Sequence, residues 1–131
     1  TSYCAMMDQS GSVIDLVVSM LPTMGAGWCP PGILGIGIGG TAEKAMSLAK
    51  ESLLEPINIQ DLQAKGADNR PEELRLEIYD KVNKLGIGAQ GLGGLTTVLD
   101  VKVKAFPSHA ANKAVALIHN CAAIRHTHFT L

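Results

Sequence analysis

The stretch from Trp28 to Ala45, WCPPGILGIGIGGTAEKA, decides the fold of this chain. Within it, Ile33 to Ile38 alternates Ile or Leu with Gly, which predicts a short buried strand whose backbone another part of the molecule approaches closely. Thr41 then offers a hydroxyl that can cap an amphipathic helix, which Pro56 ends. The stretch therefore predicts a strand, a glycine-rich turn and a helix in succession, a pattern typical of α/β proteins.

The flanking sequence adds two more predicted helices. Ser12 can cap a short, largely buried helix that we expect to stop at Pro22. Pro71 opens a helix that has acidic residues in its first turn, basic residues in its last turn and Gly86 as its C-cap. The polar segment 57–70 before that helix predicts an exposed loop.

Two further strands are predicted toward the C-terminus. In VLDVKVKAF, apolar and basic residues alternate, so the strand should be half exposed, with Lys102 and Lys104 facing solvent. The segment AVALIHNC predicts another strand that runs into Cys121. The sum is a mixed α/β (α+β) fold, in which residues 1–131 form a single compact domain with glycine-rich loops between strands and helices.

Composition excludes several classes of partner. The formal net charge is -1 and aromatic residues make up 4%, so neither an electrostatic field nor stacking platforms favour nucleic acid. No apolar run is long enough to span a bilayer, and the first ten residues lack the pattern of a signal peptide. The chain begins with Thr1 in place of an initiator methionine, and we expect it to be part of something longer.

The three cysteines, Cys4, Cys29 and Cys121, are odd in number and far apart in sequence. This argues against a disulfide framework and for a reducing compartment, so we expect a cytoplasmic protein. One interpretation is that all three pack as small buried hydrophobes. Another starts from Cys29 preceding a predicted strand and Cys121 following one, because iron–sulfur clusters take thiolates from such loops.

A nucleotide site is an alternative of another class. Gly35, Gly37 and Gly40 match G-x-G-x-x-G between a predicted strand and a predicted helix, and Asp61 lies about twenty residues further on. The segment before Asp61, however, is short and polar and makes a poor second strand. Glycines that allow close packing are the simpler interpretation of this pattern.

The histidines supply one weak metal motif. His126 and His128 flank Thr127 and would share a face in an extended segment, where they could bind a metal, although an exposed polar tail fits the same residues. No H-E-x-x-H motif and no P-loop motif occurs in the sequence.

Two long blocks carry a resemblance to a known family. The blocks GWCPPGILGIGIGGTAEKA and GIGAQGLGGLTTVLDVKVKAFPSHAANKAVALIHNCAAIRH resemble the iron–sulfur-dependent class I fumarases and their relatives, the tartrate dehydratase α subunits. The similarity extends from about Ser12 to Phe129. It implies a hydro-lyase of malate and fumarate, a small dicarboxylate substrate and a homodimer, and it leaves tartrate dehydratase open as the alternative.

The resemblance also implies the cofactor and the site residues. The family binds a [4Fe–4S] cluster through three cysteines, and its open iron takes the hydroxyl and carboxylate of the substrate. By position, Cys29 in WCPP and Cys121 in HNCAA resemble two of the three cluster ligands. His109 in PSHAANK resembles a catalytic histidine beside the substrate.

Two departures from the family pattern shape the expectation for this chain. The family's first cluster ligand lies well upstream, and Cys4 is too close to Cys29 to match it. The C-terminal domain of the single-chain enzymes, with its substrate-binding arginines, has no counterpart here. Residues 1–131 therefore resemble part of the N-terminal, α-type domain, and we expect an incomplete and inactive fragment.

Overall fold

The computed structural model describes residues 2–7, 13–127 and 129–131, and for residues 2–7 the backbone alone. Four helices and four strands are present in the described ranges, together with three short 3-10 helices. In chain order they are β1 (Ser2–Met7), α1 (Val13–Met24), a 3-10 helix (Gly25–Trp28), β2 (Gly32–Ile38), α2 (Ala42–Ser52), α3 (Ile59–Lys65), α4 (Arg70–Lys84), a 3-10 helix (Ala89–Gly91), β3 (Val98–Ala105), β4 (Ala114–Asn120) and a 3-10 helix (Ala122–Ile124). The predicted mixed α/β fold is confirmed.

The four strands form one mixed sheet in the order β1-β4-β2-β3. β2 and β3 are parallel, and the connection between them contains α2, α3 and α4. β4 runs antiparallel to both β1 and β2, with Leu34 opposite His119 and Ile38 opposite Val115. Because β2 and β4 run in opposite directions, the start of β2 and the end of β4 lie at the same edge of the sheet.

Helices cover both faces of the sheet and bury one apolar cluster on each. On one face α1 and α4 pack over β2, β3 and β4, and Leu34, Ile36 and Leu117 lie in that cluster. On the other face α2 packs over Ile33 and Ile118. The alternation of side chains along each strand separates the two sets, because successive residues of a strand point to opposite faces.

Two glycines of β2 allow the strand to pack directly against α2. A Cβ on Gly35 would lie 2.4 Å from the carbonyl oxygen of Ala49, and a Cβ on Gly37 would lie 1.9 Å from that of Ala45. No side chain fits at these distances, so glycine lets the helix backbone approach the sheet directly. The predicted close approach is confirmed, and the backbone that approaches is that of α2.

The predicted caps at Thr41 and Gly86 are present, and Asn69 adds a cap that was not predicted. The Thr41 hydroxyl accepts a hydrogen bond from the Lys44 N–H, and the Asn69 side chain accepts one from the Glu72 N–H at 3.0 Å. Gly86 follows α4 with a φ of +68°, the left-handed conformation typical of a residue that ends a helix. The predicted cap at Ser12 lies outside the described residues.

The predicted element boundaries are wrong in several places, including the end of α2, which stops at Ser52. Segment 57–70 is not a loop throughout, because α3 forms within it and buries Ile59 and Leu62 while its other residues stay polar. With so few apolar residues, the segment lacks the pattern that reveals a longer helix. Likewise α1 continues two residues past Pro22, where only the last turn has to do without the missing N–H donor.

Lys102 also departs from the prediction. The alternation along β3 is present, but only 1% of Lys102 is exposed. Its Nζ donates to the carbonyl oxygen of Pro56 at 2.6 Å and to Oδ1 of Asn58 at 2.7 Å, and it lies 3.1 Å from Oδ2 of Asp100. Burial lowers the pKa of Lys102, and the Asp100 carboxylate acts in the opposite direction.

Arg75 of α4 completes this buried network. Its guanidinium donates to the carbonyl oxygen of Val101 at 2.6 Å, to Oδ1 of Asn58 at 2.6 Å and to Oδ1 of Asp100 at 3.1 Å. Asp100 in turn accepts the backbone N–H of Asn58 at 2.8 Å. The network ties α4 and the segment before α3 to β3, whose outer edge would otherwise present unpaired backbone groups.

Candidate functional site

Cys29 lies in a constrained turn before β2. It follows the 3-10 helix that ends at Trp28, and its backbone is left-handed, with φ 56° and ψ 59°. Its N–H donates to the carbonyl oxygen of Ala26 at 2.9 Å, and the cis-linked Pro30 and Pro31 follow. The Cys29 side chain is exposed and forms no disulfide. The turn therefore presents a free thiol at the surface.

Cys121 lies immediately beside this turn. It follows β4 in an extended conformation, and its thiol is free and half-buried. The next residue, Ala122, donates its backbone N–H to the carbonyl oxygen of Cys29 at 3.2 Å. The two cysteines are 92 positions apart in the sequence, yet a backbone hydrogen bond links one to the direct neighbour of the other. The interpretation that these thiols are buried core residues is wrong.

Gly32 permits this approach. A Cβ at Gly32 would lie 1.8 Å from the carbonyl oxygen of Asn120 and 2.8 Å from Cζ3 of Trp28. Both neighbours directly precede a cysteine in the sequence. Glycine is the residue that lets the two cysteine-bearing segments meet, because every other side chain would push them apart.

The glycine-rich loop of residues 86–95, between α4 and β3, lies against the same turn. Gln90 donates both its backbone N–H, at 2.7 Å, and its side-chain Nε2, at 3.2 Å, to the carbonyl oxygen of Pro30. Gly91 lies against Ala26, where a Cβ would come within 3.0 Å of the neighbouring backbone. Leu92 and Leu95 of this loop remain almost fully exposed. The two glycine-rich segments 25–32 and 86–95 thus converge where β2 begins and β4 ends. We call this end of the sheet, which carries Cys29 and Cys121, the cysteine edge.

The two segments that carry the cysteines also carry two buried aromatic rings. Trp28 and His119 are 4% and 3% exposed, and their rings meet edge to face with centroids 6.3 Å apart. The indole Nε1 and both imidazole nitrogens are buried and have no hydrogen-bond partner among the side chains and backbone that the structure describes. Burial lowers the pKa of His119. Sequence reasoning did not single out this pair, although a histidine in an otherwise apolar strand was the available signal.

His109 lies at the opposite edge of the sheet. It is in the loop between β3 and β4, where Phe106 donates to the carbonyl oxygen of Ile38 and Asn112 reaches that of Gly40. The seven residues of β4 separate this edge from Cys121 by roughly 20 Å. Within one copy of the chain, the structure brings Cys29 and Cys121 together but leaves His109 away from them.

The His109 ring is oriented by its own loop. Its Nδ1 accepts the backbone N–H of Ala111 at 3.1 Å, and its carbonyl oxygen accepts the N–H of Asn112 at 2.9 Å. Since Nδ1 accepts a hydrogen bond, we assign the proton of the neutral ring to Nε2. The exposed ring can therefore donate from Nε2 to a carboxylate.

The remaining sequence candidates do not join the cysteine pair. The backbone of Cys4 pairs with Leu117, four residues along β4 from Cys121, or roughly 13 Å. The side chain of Cys4 lies outside the described part of the structure. So does His128, and the suggested H-x-H motif with His126 therefore stays untested. Among the described residues, no group of three or more His, Cys, Asp or Glu side chains could hold a metal ion.

The glycines and Asp61 do not have the arrangement that a dinucleotide-binding site requires. In a dinucleotide fold the glycines form the turn between strand and helix. Here Gly35 and Gly37 lie inside β2 with α2 packed on them, and only Gly40 belongs to the turn. Asp61 lies in the first turn of α3 and does not follow a second strand. The pattern is a packing motif.

Comparison with known proteins identifies the family. The sequence profile described as Fumarate hydratase (Fumerase) matches residues 1–130. The chain belongs to the fumarate hydratase family. It is 40% identical over 111 residues to the putative L(+)-tartrate dehydratase subunit alpha of Methanocaldococcus jannaschii, and 33% identical over 113 residues to the L(+)-tartrate dehydratase subunit alpha of Escherichia coli K12.

These matches cover most of this chain but less than half of the length of each relative. They include 85% and 86% of the chain, but the chain spans only 37% and 36% of the length of the two relatives. The family is one of hydro-lyases, which add water across a carbon–carbon double bond or form such a bond by removing water. No helix of the described residues has the length and apolar character needed to cross a membrane.

The cysteine edge of this fumarate hydratase family member fits part of a cluster site. Two free thiols lie on adjacent segments, and thiolates are the ligands that iron–sulfur clusters require. Three buried ring nitrogens on the same two segments have no partner within the described part of the chain, so a further donor or acceptor is needed there. The residues present therefore fit two of the ligands and part of their surroundings.

Proposed function

We propose that this chain supplies Cys29 and Cys121 as two ligands of a [4Fe–4S] cluster in an enzyme that interconverts malate and fumarate. The backbone hydrogen bond from Ala122 to Cys29 carries the proposal, because it holds two distant cysteines on adjacent segments at one edge of the sheet. When bound, a cluster with an open iron supplies a Lewis acid for the substrate hydroxyl. The third ligand and the remaining substrate contacts belong to other parts of the complete enzyme.

The protein residues around the cluster hold the thiolate ligands and orient the substrate. The turn at Cys29 and the extended backbone at Cys121 fix both thiolates, while the loop docked through Gln90 covers one side of the turn. His109 donates from Nε2 to a carboxylate of the substrate, or assists proton transfer at that atom. A dicarboxylate suits such a site because each carboxylate accepts several hydrogen bonds.

His109 can act at this site only if a second copy of the chain provides it. The separation of roughly 20 Å along β4 keeps it away from the cysteines of its own copy. We propose a homodimer in which the loop around His109 of one copy reaches the cysteine edge of the other. An isologous dimer has one self-complementary interface, across which such a pair of surfaces forms two equivalent sites.

L(+)-tartrate is the second candidate substrate. The names of the two relatives favour it, since both are described as L(+)-tartrate dehydratase subunit alpha. Tartrate and malate are both dicarboxylates with a hydroxyl beside a carboxylate. The same arrangement of thiolates and His109 would serve either of them, so an assay of the complete enzyme has to compare both substrates.

The test is complementation in the complete enzyme that contains this chain. Cys29→Ser and His109→Asn should each abolish the dehydration of malate to fumarate, measured by the ultraviolet absorbance of fumarate, with L(+)-tartrate assayed in parallel. Dimers reassembled from an equal mixture of the two variants should recover about one quarter of wild-type activity, because half of the dimers regain one intact site.

Three results would contradict parts of this proposal. A wild-type enzyme that consumes tartrate and leaves malate untouched refutes the substrate assignment. Unchanged turnover in His109→Asn refutes the role of His109. Inactive variants whose mixture gains no activity refute the shared site, while mixing each variant with itself controls for the reassembly step.

A further inference from the structure

Burying the ring nitrogens of Trp28 and His119 without partners costs free energy, and no contact within the described part of the chain explains why these nitrogens are there. Trp28 offers an N–H donor, and a histidine ring offers two nitrogens, yet none of them finds a partner among the described residues. Leaving such groups buried and unpaired is unfavourable, and an apolar ring of similar size would avoid it. Phenylalanine at position 119 would satisfy packing alone, so we take the histidine nitrogens as evidence for a partner that binds there.

The position of these rings indicates which partner. Cys121 follows β4 in an extended conformation two residues after His119, and residues at this spacing in an extended segment point to the same side. Trp28 directly precedes Cys29 and meets the His119 ring edge to face. Both rings therefore belong to the two segments that carry the thiols, one residue from Cys29 and two residues from Cys121.

We propose that His119 is a positioning residue for the group held by Cys29 and Cys121, to which its ring, supported by Trp28, contributes a hydrogen bond. The inference rests on the proposed cluster. The acceptor is a sulfur atom of the cluster or of a cysteine thiolate, because hydrogen bonds to these sulfurs tune the stability and potential of such centres. His119 touches neither substrate nor reacting atoms in this role.

The experiment compares His119→Phe with His119→Gln in the complete enzyme. Phenylalanine keeps the edge-to-face contact with Trp28 and removes both nitrogens, whereas glutamine keeps a donor and an acceptor. After anaerobic reconstitution with iron and sulfide, His119→Phe should lose its cluster to a chelator at least about tenfold faster than wild type. His119→Gln should recover a substantial part of the retention.

The cluster-free protein supplies a readout that separates positioning from packing. If the nitrogens serve a bound group, His119→Phe without cluster should melt at the wild-type temperature or above it, because it removes unpaired buried polar groups. Ile118→Val, on the opposite face of β4, is the matched control. It should lower the melting temperature and leave cluster retention unchanged.

Each outcome decides one question. Equal cluster loss in wild type and His119→Phe, with the same reduction potential, overturns the inference and leaves the cluster proposal standing. A fall in the melting temperature of cluster-free His119→Phe below that of Ile118→Val also overturns it, because the ring would then be needed for packing. A wild-type enzyme that takes up no cluster refutes the proposed function, and this inference with it.

Discussion

Asp100→Ala should lower the free energy of unfolding of this chain by about 3–5 kcal/mol, as expected when one partner of a buried ion pair is removed. Asp100 is fully buried and accepts from Arg75, Lys102 and the backbone N–H of Asn58. Without it, two cations remain at a buried site with only neutral partners. Urea unfolding of the cluster-free chain measures the difference.

Asp80→Ala is the control for this prediction. Asp80 pairs with Lys84 on the exposed face of α4 at 2.5 Å, a shorter contact than any in the buried network. Solvent screens that pair, so its loss should cost about 1 kcal/mol or less. Equal losses in the two variants would contradict the description of Asp100 as the buried anion that joins β3 to α4.

Gly32→Ala should be as damaging, at about 3 kcal/mol or more, the upper range for overpacked cores. The added Cβ would lie 1.8 Å from the backbone oxygen of Asn120, which cannot rotate away as a side chain can. The strands must then separate at the cysteine edge. We expect lower stability in urea unfolding and, in the complete enzyme, lower iron content per chain after reconstitution.

Gly27→Ala is the matched substitution in the same segment. A Cβ at Gly27 meets nothing within 4 Å, and no unusual backbone conformation is required there. Its stability should stay within about 0.5 kcal/mol of wild type, as for most surface substitutions. If Gly32→Ala were equally harmless, the close approach of the segments that carry Cys29 and Cys121 would be wrong.

Local signals in the sequence predicted much of the secondary structure. The alternation in β2 and β3, the apolar run of β4 and the cap at Thr41 are patterns of neighbouring residues, and the predicted strands and cap are present. The prediction of a loop at 59–65 was wrong because this helix has only two buried residues, too few to give a visible helical period. The predicted exposure of Lys102 was wrong because the sequence pattern of a strand is the same whether water or Asn58 binds the lysine ammonium group.

The site was less accessible to such reasoning. Family resemblance selected Cys29, Cys121 and His109, but nothing local shows that β4 runs antiparallel to β2. Strand order and direction depend on contacts between distant segments. That one fact brings the cysteines to the same edge and sends His109 to the other. The buried state of His119 has the same origin, because it depends on Trp28, which is 91 positions away in sequence.

Iron and sulfide analysis after anaerobic reconstitution tests the central claim most directly. It should be carried out on the complete enzyme, comparing wild type with Cys29→Ser, Cys121→Ser and Cys4→Ser. Cys4 is the internal control, since its backbone lies beside Leu117, far along β4 from Cys121. We predict that the wild type and Cys4→Ser each bind four iron and four sulfide per chain, within about ten per cent, as a [4Fe–4S] centre requires.

Cys29→Ser and Cys121→Ser should each fail to retain the cluster, because thiolate ligands are lost from adjacent segments of one site. That result would establish both residues as ligands independently of any activity assay. Full iron and sulfide content in either of these two variants would contradict the proposal that the cysteine edge of the sheet holds the cluster.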